Sequence, residues 1–463
     1  MRAGPARRAP EELKTLVARI ASLERAGRFA ESLPLLERAL AADRGNPVLH
    51  AKIGSALKAT GRLEDAERRY RRALAIQPRF ALGWSNLGNI LKERGKLDES
   101  EAAYRRAIRL QPDFAEAYNN LGAALLQLGR PEDALDSFDR AIELAPGFAM
   151  AHRNRAKAAL LLGRFECGWE DYLWRDGVDR AVTPRPSAPL APHQSGRRIC
   201  IHREQGLGDE LFFLRFARPL KARGAWLAYR ADPRLAPLLA TAPFLDAILG
   251  PAESPGPVDS TVAVPDLPYL VAVGPEEVPP LPLVPDAARV ARLRRRLAEL
   301  GPPPYLGVTW RAGTEGGANL HKAVDLEPLA RALASAAGTV VVAQRLPVAG
   351  DVESFARTLG RPAHDLSPLN DDLEDMLALM SLVDDYVAVS NTNVHLRAGV
   401  GKTCRILVPQ PPEFRWTLAG EGSPWFPGFA VYRQSLSGDW GEPLGALAQD
   451  LLKRWSSGDA SPA

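Results

Sequence analysis

Five glycines stand 34 residues apart: Gly27, Gly61, Gly95, Gly129 and Gly163. Around the middle three the rest of the unit repeats in phase, with Gly54, Gly88 and Gly122, then Tyr70, Tyr104 and Phe138, then Ala73, Ala107 and Ala141, then Pro78, Pro112 and Pro146. The stretch from Ala81 to Gln111 shows what one unit encodes. Trp84, Leu87, Gly88 and Leu91 make an apolar stripe at helical spacing, Gly95 marks a turn, and a second stripe with Tyr104, Ala107 and Ile108 runs to Pro112, which stops the helix. One helix pair cannot cover its own apolar face, so successive pairs must stack and share a core. The first unit has Ile20 at the small position and no closing proline, as suits a terminal cap. The regular block runs from about Leu13 to Pro146 and accounts for only the first third of the chain.

A fifth unit starts at Ala149 and then departs from the pattern, with Phe165, Trp169, Tyr172 and Trp174 on one aromatic-rich helix. It reads as the helix that closes the solenoid and packs onto the next domain. The stretch Thr183 to His193 carries four prolines and reads as a linker. From Arg197 onward, short apolar runs alternate with helical stretches. Strands are expected at 199–202, 226–229, 262–264, 306–310, 339–343, 386–389 and 405–408. Helices are expected at about 209–221 and 288–300. Alternation of this kind predicts mostly parallel sheets with helices on both faces, in two halves separated near 275–285. The organisation expected is a tail at 1–12, a solenoid at 13–180, a linker at 181–196, α/β halves at 197–285 and 286–456, and a tail at 457–463.

Composition narrows the function classes. A net charge of +4 over 463 residues is too small to argue for nucleic acid. The basic start at Arg2, Arg7 and Arg8 lacks the apolar core of a signal peptide, and no run is apolar and long enough to span a membrane. Cys167, Cys200 and Cys404 are far apart, which fits a reducing, cytoplasmic setting and argues against zinc or a disulfide framework.

Two familiar phosphate motifs are incomplete. Gly206-Leu207-Gly208 begins like a dinucleotide fingerprint but has Leu211 at the third glycine position, and Gly401-Lys402-Thr403 lacks the earlier glycine, with Leu396 in its place. Three loops at strand ends carry chemistry instead. Glu204 to Asp209 follows a strand and opens a helix; Gln205, Gly206 and Gly208 allow a ligand close approach, and Asp209 either faces that ligand or caps the helix. Arg311, Thr314 and Lys322 lie in the glycine-rich loop after 306–310, either neutralising a diphosphate or forming a solvated loop. Ser390, Asn391, Asn393 and His395 follow 386–389, where open α/β sheets bind ligands; the alternative is a polar turn with His395 packed in a helix. In the repeats, Asn86, Asn120 and Asn154 recur at 34 on the first helix of successive units. Asn offers a donor and an acceptor, so such a ladder suits an extended peptide backbone, unless Asn merely tolerates an exposed site.

The repeat resembles the tetratricopeptide repeat. The whole chain resembles bacterial tetratricopeptide-repeat glycosyltransferases of GT-B fold related to the heptosyltransferase group. That resemblance rests on Trp169 to Trp174, Glu204 to Asp209, Leu306 to Lys322, His395 to Lys402 and Ser423-Pro424-Trp425-Phe426. It implies an α-solenoid followed by a pair of Rossmann-like α/β domains. It implies a nucleotide-sugar substrate and no cofactor or metal, with Asp209 as the base that activates an acceptor hydroxyl. Arg311, Thr314, Lys322, Ser390, Asn391, Asn393 and His395 would hold the donor, and Gln205, Gly206 and Gly208 would form the acceptor loop. The donor loop of relatives commonly reads Asp-Thr-Ser-x-x-His; here Ser390 stands at the Asp position and His395 is kept. An Asn-lined arm joined to GT-B is similar to protein O-GlcNAc transferases and implies a protein acceptor, such as flagellin or another surface protein, held by Asn86, Asn120 and Asn154. The alternatives are a non-catalytic scaffold, which Ser390 favours, and transfer to an envelope glycan.

Overall fold

The computed structural model describes residues 5–312, 322–418, 420 and 422–456. The chain divides into two compact units, residues 1–158 and 159–463.

The first unit is helical. Phe29–Ala42, Pro47–Ala59, Leu63–Ile76, Ala81–Glu93, Leu97–Leu110, Ala115–Gln127 and Pro131–Leu144 succeed one another through short turns. The 34-residue period has two physical causes. The glycines at the turns take left-handed backbone, with φ between 69° and 77° from Gly27 to Gly129, a region open to glycine at little cost. There the next amide reaches back across the turn, as from Arg62 to the Leu57 carbonyl at 2.9 Å and from Arg130 to that of Leu125 at 2.9 Å. The second glycine set seats an aromatic ring. A Cβ on Gly88 would lie 2.6 Å from Tyr104, and one on Gly122 would lie 2.6 Å from Phe138. Tyr70, Tyr104 and Phe138 are accordingly buried between the helices of their own pairs.

The described residues of the second unit form ten strands in two wholly parallel sheets. The strands are β1 Arg198–His202, β2 Trp226–Arg230, β3 Ala247–Leu249, β4 Ser260–Ala263, β5 Tyr305–Thr309, β6 Thr339–Val342, β7 Ala363–Asp365, β8 Asp385–Val389, β9 Arg405–Val408 and β10 Ala430–Arg433. One sheet runs β3-β2-β1-β4 and the other β10-β9-β8-β5-β6-β7. The second is the 3-2-1-4-5-6 order of doubly wound sheets, with its topological switch between β5 and β8. Strands β3, β7 and β10 escape a sequence reading; β3 and β7 hold only three residues each.

Two boundaries differ from the sequence expectation. The division falls at residue 158 and not near 180, because the aromatic helix Phe165–Tyr172 belongs to the α/β core. Trp169 packs edge-on against Phe213, Phe216, Phe414 and Trp425, with ring centroids 5.4–6.2 Å apart. The proline-rich stretch is also no free linker. Its Leu190 amide bonds the Leu270 carbonyl at 2.8 Å, the Gln194 amide bonds that of Arg223 at 2.7 Å, and Arg185 stacks over Trp174. The helix expected over 209–221 breaks into Leu207–Leu214 and Ala217–Ala222.

Candidate functional site

The loops at the carboxyl ends of both sheets meet in one cavity of about 270 Å³. Gly206 to Asp209 enter it from the end of β1, Arg311 and Lys322 from β5, Arg345 from β6, Ser390 to Asn393 and His395 from β8, and Glu413 and Arg415 from β9. Five cationic side chains line it (Arg234, Arg311, Lys322, Arg345 and Arg415) against two carboxylates, Asp209 and Glu413. That excess of positive charge beside the switch point is what an anionic ligand requires.

Each loop is held from behind. Arg175 makes a two-pronged bond to Glu204 at 2.6 and 2.7 Å and a third to the fully buried Asp266 at 2.6 Å, which anchors the loop after β1. Gly208 lets that loop lie against the β8 loop: a Cβ there would meet the His395 ring at 3.2 Å and the Thr392 Cα at 3.5 Å. The buried Gln344 amide accepts from the Arg311 amide at 2.9 Å and donates to the Arg311 and Arg345 carbonyls at 3.0 and 2.9 Å, so it clips the β5 and β6 ends together. Backbone strain marks both sides of the cavity, with Gln205 at φ 70° and Leu346 at φ 46°.

The sequence-predicted residues divide into groups. Asp209 is not a helix cap: the cap position is Gly206, and the Asp209 carboxylate pairs with Arg415. Nor is that carboxylate unengaged, since Arg415 holds its Oδ1, although a third of the side chain remains exposed. Lys322 pairs with Glu413, and the Ser390 hydroxyl donates to Glu413 at 2.6 Å. Asn391 caps the helix Thr392–Gly399 by accepting from the Val394 amide at 3.2 Å. Asn393 braces the loops by donating to the Ala343 carbonyl at 3.3 Å and to Asn370 at 3.1 Å. The Arg311 guanidinium reaches the Leu346 carbonyl at 2.9 Å. Gln205 turns away from the cavity and bonds the Tyr172 hydroxyl at 3.1 Å. Thr314 lies outside the described residues. Among the described residues no group of three or more His, Cys, Asp or Glu is placed to hold a metal ion.

Electrostatics follow from burial. The His395 imidazole is driven well below its ordinary value by burial, and then by Arg415, Arg215 and Lys322, so it is neutral at pH 7. Its Nδ1 has no partner among the described residues. Burial pushes the Glu413 carboxyl up, but Arg415 and Lys322 outweigh it and leave the group below the usual carboxylate range. Arg215, wedged between Phe212 and Phe426, is brought down to about 9 by burial and by Arg415. Glu413 and Arg415 were not singled out in the sequence because no motif surrounds them. Their only signal is a charged pair after a strand.

In the first unit, Asn86, Asn120 and Asn154 hold equivalent, half-buried positions on Ala81–Glu93, Ala115–Gln127 and Ala149–Leu161. Part of their bonding capacity is used internally: Asn154 donates to Asn119 at 2.8 Å, and Asn119 donates to Asn120 at 3.3 Å.

Tetratricopeptide-repeat profiles match residues 23–90, 85–148 and 124–166. The chain carries tetratricopeptide repeats. Protein FlbA of Caulobacter vibrioides is 30% identical over 316 residues, which cover 61% of this chain and 52% of that protein. The chain therefore spans about half the length of this curated relative. The matched share of this chain exceeds its 158-residue repeat unit, so the likeness reaches into the α/β unit. Among solved structures, MamA is 22% identical, covering 33% of this chain and 90% of its own, with a TM-score of 0.31. PilF of Pseudomonas aeruginosa is 21% identical over 36% of this chain and 75% of its own, with a TM-score of 0.34. No helix among the described residues is long and apolar enough to cross a membrane.

Proposed function

We propose that the α/β unit is a glycosyltransferase of GT-B type that binds a nucleotide sugar in the switch-point cavity and transfers the sugar to a hydroxyl of a protein engaged by the repeats. The observation that carries this reading is the convergence of β1, β5 and β8 loop residues (Asp209, Arg311, Lys322 and His395 among them) on one cationic cavity. The acceptor oxygen attacks the anomeric carbon while the bond from that carbon to the diphosphate oxygen breaks. Asp209 takes the hydroxyl proton. Arg311, Lys322 and Arg415, with the amides that open the helix Thr392–Gly399, take up the charge of the leaving diphosphate. The repeats supply the protein partner, and a nucleotide-sugar donor implies a cytoplasmic reaction.

Two observations favour a second reading, a repeat scaffold with a non-catalytic α/β unit. Arg415 and Lys322 are already paired with the protein's own carboxylates, and Ser390 stands where relatives commonly carry Asp. Calorimetric titration of the full chain with the uridine, guanosine, adenosine and cytidine diphosphates separates the two. The transferase reading expects one of them to bind and Lys322→Ala to weaken it by about tenfold. Binding of none supports the scaffold.

A further inference from the structure

We propose that Glu413 is a built-in counter-ion standing where a phosphate of the ligand binds, so that a diphosphate displaces Glu413 and releases Asp209 from Arg415. This rests on the reading of the cavity as a nucleoside diphosphate site.

The Glu413 carboxylate meets three donors brought from three separate segments. They are the Lys322 ammonium, the Ser390 hydroxyl at 2.6 Å and Arg415 Nη1 at 3.5 Å. An ammonium, a hydroxyl and a guanidinium aimed at one point make an anion seat. Arg415 is the shared member. Its Nη2 holds Asp209 while its Nη1 faces Glu413, and only 5% of its side chain is exposed. Two carboxylates on the cavity lining offset part of its positive charge from within.

A phosphate group brings more acceptor oxygens and more negative charge than a carboxylate, so it competes well for the same donors. The Arg415 guanidinium lies over the Phe212 and Phe414 rings. When it turns its edge to a phosphate, its bond to Asp209 is given up. The Asp209 carboxylate is then available to an acceptor hydroxyl only after the donor has bound, which orders the two substrates. Ser390 fits the same scheme. A carboxylate at that position would face Glu413 directly, and two like charges would spoil the seat.

The test is calorimetry on the full chain, with inorganic pyrophosphate and with whichever nucleoside diphosphate binds the wild type best. Glu413→Gln keeps the shape and removes the competing charge, and its affinity for both probes should rise by about tenfold. Asp209→Asn removes the weaker competitor and should raise affinity by about threefold. A merely structural Glu413 predicts the opposite sign, a loss of binding. Unchanged or weaker binding by a Glu413→Gln protein that melts like the wild type overturns the proposal. If that variant does not fold, Glu413→Asp, which draws the carboxylate back from Lys322, decides by the same criterion. If the wild type binds neither probe and the variants bind neither, the diphosphate reading of the cavity falls as a whole. If the wild type binds and the variants are no tighter, only the displacement falls.

Discussion

The repeat unit and the α/β unit are stabilised over different distances along the chain. In the repeats, a residue meets its own pair or the next one: Gly122 seats Phe138 sixteen positions on, and Asn154 reaches Asn119, 35 positions back. In the α/β unit, the contact that organises the cavity joins Asp209 to Arg415 across 206 positions. The first kind of contact must recur with the period and is visible as a pattern. The second occurs once and leaves no pattern. The difference teaches where substitutions act: a repeat change should be felt locally, whereas a cavity change loosens two sheets together.

The largest effect is expected at the long-range contact. Arg415→Ala leaves Asp209 and Glu413 without their buried guanidinium and should cost about 3–5 kcal/mol in urea denaturation. A cost below about 1 kcal/mol would mean that the pair does not hold the loops, and the contrast between the two units would fail. Asp209→Asn, at the other end of the same pair, tests chemistry as well as stability. Transfer should fall by about 100-fold in a turnover assay with the native acceptor, at a temperature where the variant is fully folded. Transfer at the wild-type rate would remove Asp209 from the reaction.

A repeat substitution comes next. Gly122→Val drives a side chain into the Phe138 ring and should cost about 1–3 kcal/mol. Hydrogen exchange should show faster opening confined to the neighbouring helix pairs; equal loosening of every repeat would contradict local stacking.

Each unit also holds a histidine pushed below its ordinary value, His50 in the repeats chiefly by burial and His395 in the cavity by burial and nearby cations. The unfolded imidazole takes a proton near pH 6.5 that the folded one refuses, so stability is full above that value and falls as pH drops below it toward the folded value. His395→Asn should flatten the melting-versus-pH curve of the α/β unit between about pH 6.5 and 5 by up to about 1.4 kcal/mol per pH unit. His202, also depressed by burial and Arg230, should account for slope that remains. An unaltered curve in the His395 variant would show that its ring is not held neutral.

The smallest effect is expected at the ladder. Asn120→Ala removes an acceptor that Asn119 uses and should change stability by less than about 0.5 kcal/mol. Weaker capture of an extended peptide by this variant, at equal stability, would assign the position to binding; equal capture would leave it as a tolerant surface site.

The sequence by itself determined the repeat architecture, because a left-handed glycine turn and a glycine seat under an aromatic ring are local demands repeated every 34 residues. It also marked three loops with polar groups at strand ends, and these are among the loops that line the cavity. Short strands such as Ala247–Leu249 were not legible, since three residues hold too little pattern to separate from a loop. The aromatic helix was legible in part: its packing onto the next domain was readable, but its membership of that domain was not, because the Trp169 partners Phe213, Phe414 and Trp425 lie far along the chain. Tertiary structure alone decided what each site residue touches. Asp209 reads equally well as a cap or as a base, and it is the approach of the β9 loop, carrying Arg415 and Glu413, that takes Asp209 off its own helix and gives Lys322 and Ser390 a shared partner. Charge pairs are non-directional in sequence and act through space, so their partners emerge only when the two sheets bring their carboxyl ends together.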